Sequence, residues 1–289
     1  MSKYKGKYFL DDITYRVADG LANSDALMIE NNPGDFLWSK EAPRDNKKSK
    51  TTDIGTALHC AILEPEKYKE HIIVSKFKGR TAKGFEEEQK ENKNKVVLTQ
   101  EEYDQVNLMA KSVKAHPSAK YLLDCAGDCE SSVFVKDQQT GVELKCRPDK
   151  DCVESAGIII DVKTTASIDD WRSDKEFINP LYKFNYGHGA SFYTDVLEQH
   201  YNTTIDSFVF LVIQNSIKLN RYPVAVFQIS RDELIALGFW DRHRANVFEY
   251  SRCKSQNDWV HTESFNFGSW SDDFVTDDLT VTFEGDKNA

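Results

Sequence analysis

The chain has 289 residues, with 37 Lys and Arg against 47 Asp and Glu, a formal net charge of −10, and 40% apolar and 29% charged residues. This is ordinary soluble globular composition, with enough apolar material for a large core, in one large domain with appendages or in two. The longest uninterrupted apolar stretch, Phe208 to Ile213, is far short of the roughly 20 residues a membrane-spanning helix needs. The start, Met1 to Tyr8, is basic but reaches Asp11 and Asp12 without an apolar stretch, so the expected location is the cytoplasm. Six cysteines are too few for a disulfide scaffold, and the spacings Cys125/Cys129 and Cys146/Cys152 differ from the tight pairs of zinc sites. A negative body is repelled by phosphate, so a nucleic-acid enzyme of this composition must concentrate positive charge in a channel.

In chain order, Asn23-Ser-Asp25 starts a short helix that Asn32-Pro-Gly34 ends. Lys40 to Lys50 is a basic loop, and Gly55 to Leu63 a mostly apolar, buried helix stopped before Pro65. Lys76 to Lys95 is a charged loop leading into a helix, and the capping box Thr99/Glu102 opens a helix from Gln100 to Ala115 that His116-Pro117 ends. The period then changes. Glu130 to Lys136, Val142 to Val153 and Ile158 to Lys163 read as strands of an antiparallel meander, with turns at 137–141 and 154–157. Tyr186 to His200 is a helix, Phe208 to Gln214 a fully apolar strand, Ala225 to Ser230 another, and Arg231 to Arg252 one long helix. The acidic tail after Trp270 carries no element.

The chemically informative feature is Pro148-Asp149, eleven residues, then Asp161-Val-Lys163. A hairpin turn at 154–157 sets Asp149 opposite Asp161, and Lys163, two residues on, shares the face of Asp161. Two carboxylates so placed suit Mg²⁺ or Mn²⁺, and the lysine can orient or deprotonate water and offset charge on an attacked phosphate. A charge ending the apolar run Ile158-Ile-Ile160 is costly unless it is paired or metal-bound. His59 on its apolar helix is the second candidate, with a core histidine as the plain alternative. Tyr186 and Tyr193, seven apart, share a helix face, which is equally the pattern of packing.

Gly55-Thr-Ala-Leu-His59, Glu130-Ser-Ser, Cys146-Arg-Pro-Asp149, Asp161-Val-Lys-Thr-Thr165, Phe192-Tyr-Thr-Asp195, Phe208-Val-Phe-Leu-Val212 and Arg221-Tyr-Pro-Val224 follow one another in a way that resembles the RecE-type exonuclease (exonuclease VIII) family. That family is a branch of the PD-(D/E)XK nucleases related to the RecB nuclease domain. The resemblance covers about residues 14 to 270. It implies an α/β restriction-endonuclease-like core, a mixed central sheet flanked by helices, in a single domain over 1–270. The helical part would occupy about 14–120 and the catalytic core about 121–270, with an acidic tail over 271–289.

The activity implied is Mg²⁺-dependent exonucleolysis of linear duplex DNA from the 5′ end, releasing 5′-mononucleotides and leaving 3′ overhangs for recombination, with Mn²⁺ able to substitute. By position, Asp149, Asp161 and His59 look like metal-site residues, Val162 offers its carbonyl, Lys163 matches the catalytic lysine, and Glu130 and Tyr193 are supporting residues. The implied partners are duplex DNA ends, further copies of the chain in a ring, expected as a tetramer, and a single-strand annealing protein of RecT type, with no membrane. The family's helix reads Gln-x-x-x-Tyr where this chain has Gly189 before Tyr193. His188 either stands in for the glutamine or faces solvent. In the basic loops Arg80, Lys83 and Lys48 are the candidate DNA contacts. The rival readings are a DNA-end-binding protein with a decayed nuclease site and a related PD-(D/E)XK endonuclease.

Overall fold

In the computed structural model, which describes residues 3–43 and 50–259, the chain runs from strand β1 (Gly6–Tyr8) into helices α1 (Asp12–Val17), α2 (Asn23–Asn31) and α3 (Pro33–Glu41). Asn32-Pro33 ends α2 as its sequence suggests, and also starts α3. The Asn32 side chain accepts from the Gly34 N–H, and Pro33 sits where a helix has no use for a backbone donor. After α4 (Lys50–Leu63) and α5 (Pro65–His71) come β2 (Ile72–Val74), α6 (Phe85–Glu91), β3 (Val96–Leu98), α7 (Gln100–Ala115) and α8 (Pro117–Asp124). Helix α7 has the expected bounds because its capping box forms: Thr99 N–H donates to Glu102 Oε2 (3.0 Å) and Glu102 N–H to Thr99 Oγ1 (3.3 Å). Strands β2 and β3, paired in parallel, are three residues each and too short to announce themselves by alternation.

The second half holds β4 (Asp128–Cys129), β5 (Ser132–Lys136), β6 (Glu143–Cys146), β7 (Lys150–Cys152), α9 (Val153–Ala156), β8 (Ile158–Thr165), α10 (Pro180–Lys183), α11 (Tyr186–Tyr201), β9 (Ser207–Gln214), β10 (Val224–Ser230), α12 (Arg231–Ala236) and α13 (Phe239–Gln256). The expected meander is divided between two sheets. A five-stranded mixed sheet has the order β10-β9-β8-β7-β4, with β8 and β9 parallel, and a three-stranded antiparallel sheet has the order β1-β5-β6. The run Val142 to Val153 breaks at Arg147-Pro148-Asp149, because proline has no N–H for the ladder and holds its predecessor away from regular pairing. The expected single helix over 231–252 is likewise two, separated at Gly238, whose φ of 77° turns the chain.

Strand β8 alternates between the sheet's two faces. Ile159 joins Phe208, Phe210 and Val212 of β9 under α11 and α13, in a core that includes Phe192, Val196, Phe239 and Val247. Ile160 and Val162 join Val209, Leu211 and Ile213 under the opposite layer, against Leu58 of α4 and Val106 and Met109 of α7. Both faces of β9 are buried along its whole length, which is why it reads as an unbroken apolar run. Helix α11 lies so close to α13 that a Cβ on Gly187 would sit 2.5 Å from the Phe239 ring.

Candidate metal centre

Two strand registers assemble the site. Cys129 pairs with Lys150 in one sheet and Val133 with Cys146 in the other, numbers that add to 279 in both cases, so the ribbon keeps its offset through the break at Pro148. That offset faces Glu130 with Asp149, and the Glu130 N–H donates to the Asp149 carbonyl at 3.1 Å. Lys150 pairs with Ile160 and Asp151 with Ile159, which continues to Asp149 opposite Asp161 as the hairpin argument requires. The turn that sets this register is the single helical turn α9, closed by Gly157 in the left-handed region at φ 67°. Glu130 in the link between β4 and β5, Asp149 just before β7, and Asp161 of β8 therefore stand in one row, where the two sheets part.

His59 reaches this row from α4. Its Nδ1 lies 3.5 Å from Asp149 Oδ2, and single ligand atoms of His59, Glu130 and Asp149 all fall within 4.8 Å of one another. Glu130, treated as a supporting residue on sequence grounds, is thus a full member of the cluster, whereas Asp161 stands beside it. The buried Asp161 carboxylate is ion-paired through Oδ2 with the Lys163 ammonium. Val162 presents its N–H to the site: it donates to Asp149 Oδ2 over 2.6 Å.

The electrostatics are those of a site short of positive charge. Burial, and then the neighbouring Asp149, push the Glu130 carboxyl up to about 8 against the pull of Arg147. Burial also raises Asp161 to about 6, with Lys163 opposing and Asp149 adding to the rise. Burial acts to lower Lys163, but the carboxylates of Asp161 and Asp149 outweigh it and hold the ammonium above its ordinary range. Crowded carboxyls that resist ionisation and one imidazole nitrogen, all within 4.8 Å, form a hard donor set that fits a divalent cation. Glu130, Asp149 and His59 would hold it, with Asp161 adjacent.

Helix α11 supplies the floor. The Lys163 ammonium lies 5.2 Å from the centre of the Tyr186 ring, itself stacked on Trp171. Tyr193 packs against the core beside Phe208, and burial raises its phenol well above the ordinary range, so it is a neutral packing group.

His188 follows neither course anticipated for it. It is fully buried, with Nδ1 2.7 Å from Asn23 Oδ1 and Nε2 3.0 Å from Asn246 Nδ2, so it joins α2, α11 and α13. Those partners fix the neutral tautomer, and burial, then His243 and Arg242, drive its pKa down to about 3. Gly189 likewise faces Asn23 of α2, whose amide would lie 3.4 Å from an added Cβ.

Arg80 is turned inward. Its Nε and Nη2 donate to the two oxygens of Glu102 (2.8 and 3.1 Å), and its Nη1 to Asp53 Oδ2 (2.7 Å). Its acidic partners are nearly inaccessible, so the guanidinium clamps the loop to α4 and α7. Lys83 is exposed in the same loop. Lys48 and the acidic tail over 271–289 lie outside the described residues. The residue missed by sequence reasoning is Arg147, whose Nε donates to the Glu130 carbonyl (3.1 Å). Its place beside Pro148-Asp149 was the available signal.

The molecule compares with known proteins as follows. Among curated proteins no sequence match was found. A crystal structure described as a putative exonuclease from Eubacterium rectale superposes with a TM-score of 0.55 at 11% identity, over 90% of this chain and 94% of that one, which shows a shared fold. A second structure, SSO0001, gives a TM-score of 0.27 at 14% identity over 77% of this chain and 84% of that one. Residues 31–274 match the model of a PDDEXK-like domain of unknown function (DUF3799). The mixed sheet between helical layers, with its acidic row beside a lysine, is the fold of the PD-(D/E)XK nuclease superfamily, and with a family match spanning most of its length the chain belongs to these DUF3799 domains.

Proposed function

We propose that this chain is a Mg²⁺-dependent exodeoxyribonuclease of the RecE type, acting 5′ to 3′ on linear duplex DNA and leaving 3′ overhangs for recombination. The observation that carries the reading is the row Glu130, Asp149 and Asp161, with His59 above it and Lys163 at its end. A divalent cation held there would supply Lewis-acid polarisation of a phosphate and of water. Mn²⁺ should substitute, because the donor set is of oxygens and one imidazole.

The chain's own residues do the rest. Val162 N–H holds Asp149 by one oxygen, which fixes the carboxylate's direction. Lys163 is ion-paired with Asp161, which favours its ammonium form. It orients the attacking water as an ammonium and offsets the negative charge growing on the phosphate. Tyr186 backs the Lys163 ammonium with the face of its ring, which limits the lysine's freedom before substrate arrives.

A ring of copies, a tetramer in this reading, would gather basic loops into a channel and reconcile a net charge of −10 with a polyanionic substrate. A RecT-type annealing protein would receive the 3′ overhang. The deciding experiment is digestion of linear duplex labelled separately at each 5′ and 3′ terminus, with Mg²⁺ and with EDTA, beside covalently closed circles. Loss of 5′ label as mononucleotide, an intact circle and silence under EDTA are expected. Cleavage of the circle would make the chain an endonuclease, and inactivity on every end with both metals would refute the reading.

A further inference from the structure

We infer that Arg147 is a positioning residue of the metal centre, holding Glu130 in the conformation that turns its carboxylate toward Asp149 and His59. The inference rests on the metal-centre reading above.

Glu130 sits at φ 53°, in the left-handed region that a residue with a Cβ rarely adopts. Such a conformation persists only when its surroundings over-determine it. Two contacts do so here: the Glu130 N–H donates to the Asp149 carbonyl, and the Glu130 carbonyl accepts from Arg147 Nε. The same Nε lies 3.5 Å from Glu130 Oε2, so one guanidinium grips both backbone and side chain.

Arg147 is itself immobilised from the far side. Its Nη2 donates to the Leu10 carbonyl, its Nη1 is 3.6 Å from Asp12 Oδ1, and its plane lies 5.2 Å from the centre of the Tyr15 ring. A planar fork with donors in several directions can tie the N-terminal segment to Glu130 in this way, and an ammonium cannot. Only 14% of the Arg147 side chain is exposed, which suits a strut better than a phosphate contact.

Charge and geometry predict opposite signs when Arg147 is replaced. If it acts only as a cation near the site, removing it should tighten binding of a divalent cation, because a like charge is gone. If it positions Glu130, removing it should weaken that binding, by about 10 to 100-fold as for other groups that orient metal ligands. The test is Mn²⁺ titration of the whole chain by isothermal calorimetry, with no DNA present, and a thermal melt of each variant to confirm folding.

Arg147→Ala should weaken Mn²⁺ binding by about tenfold or more, and should add no further loss in a Glu130→Ala background. Unchanged or tighter binding in the folded single variant overturns the inference, as do losses that add in the double variant. Should Arg147→Ala not fold, Arg147→Lys serves: the charge is kept and the fork lost, so weaker binding supports positioning and wild-type affinity overturns it. Failure of the underlying reading looks different. In that case the unaltered chain does not bind Mn²⁺, or Asp149→Ala binds it equally well, and the role of Arg147 falls with the site.

Discussion

The backbone N–H of Val162 donates to Oδ2 of Asp149 over 2.6 Å. The strand that carries Asp161 and Lys163 therefore also fixes the carboxylate facing them, and β7 and β8 act as one part. A carboxylate tied at one oxygen keeps the other directed, while the crowd of charge around it raises the cost of leaving the site without a cation.

Glu130→Gln should stabilise the metal-free protein and impair the metal-bound one. The Glu130 carboxyl is pushed up to about 8, so at pH 8 and above its ionisation works against the fold. An isosteric neutral side chain should raise stability in EDTA by ~2 kcal/mol, read as a higher denaturation midpoint. Stabilisation by added Mn²⁺ should shrink in the same variant. A lower midpoint in EDTA would contradict the electrostatic account.

The same group sets a pH dependence. An acid whose folded pKa lies above its unfolded value binds more protons in the folded state, so stability falls as pH rises between the two values. Buried His188 and His243, with lowered pKa values, act in the opposite sense but only below the ordinary histidine range. From pH 6.5 to 8 Glu130 should therefore dominate, and the EDTA-treated protein should melt lower at pH 8 than at 6.5. Glu130→Gln should flatten the slope. Melting curves at a series of pH values decide this, and an unchanged slope in the variant would assign it elsewhere.

Lys163→Ala should separate metal binding from turnover. Its ammonium sits on Asp161 and adds positive charge beside the cation site, so Mn²⁺ should bind the variant at least as tightly. Turnover should fall by about 100-fold or more, because the lost interaction belongs to the transition state. Calorimetry and single-turnover digestion measure the two effects, and a parallel loss of both would show the lysine to be mainly structural.

Arg80→Ala should act on stability. It leaves Asp53 and Glu102, 1% and 3% exposed, as buried carboxylates without their guanidinium. The expected cost is about 3 kcal/mol, with the salt dependence of DNA binding unaltered. A reduced salt slope at full stability would restore Arg80 as a phosphate contact.

The strand pairing behind this site was legible in the amino-acid sequence. The eleven residues between Asp149 and Asp161 encode a hairpin whose register is fixed by one short turn, and side-chain parity then brings Lys163 to the same face. Local information sufficed because strand pairing across a tight turn has few alternatives. The capping box at Thr99 was legible for the same reason. The inward turn of Arg80 was not legible, because a cation in a glycine-containing loop looks alike in sequence whether it faces solvent, a phosphate or a carboxylate 22 residues on.

The amino-acid sequence by itself determined the pairing of β7 with β8 and the bounds of α7, both set by contacts between neighbours in the chain, and it marked β9 as buried by an unbroken apolar run. Only the tertiary structure decided that Glu130 joins His59 and Asp149, that His188 is a buried bridge between Asn23 and Asn246, and that Arg147 grips Glu130. Those contacts depend on how two sheets part at Pro148 and how α4, α2 and α13 dock. Docking is fixed by the summed packing of both cores, a quantity that no short stretch of residues carries.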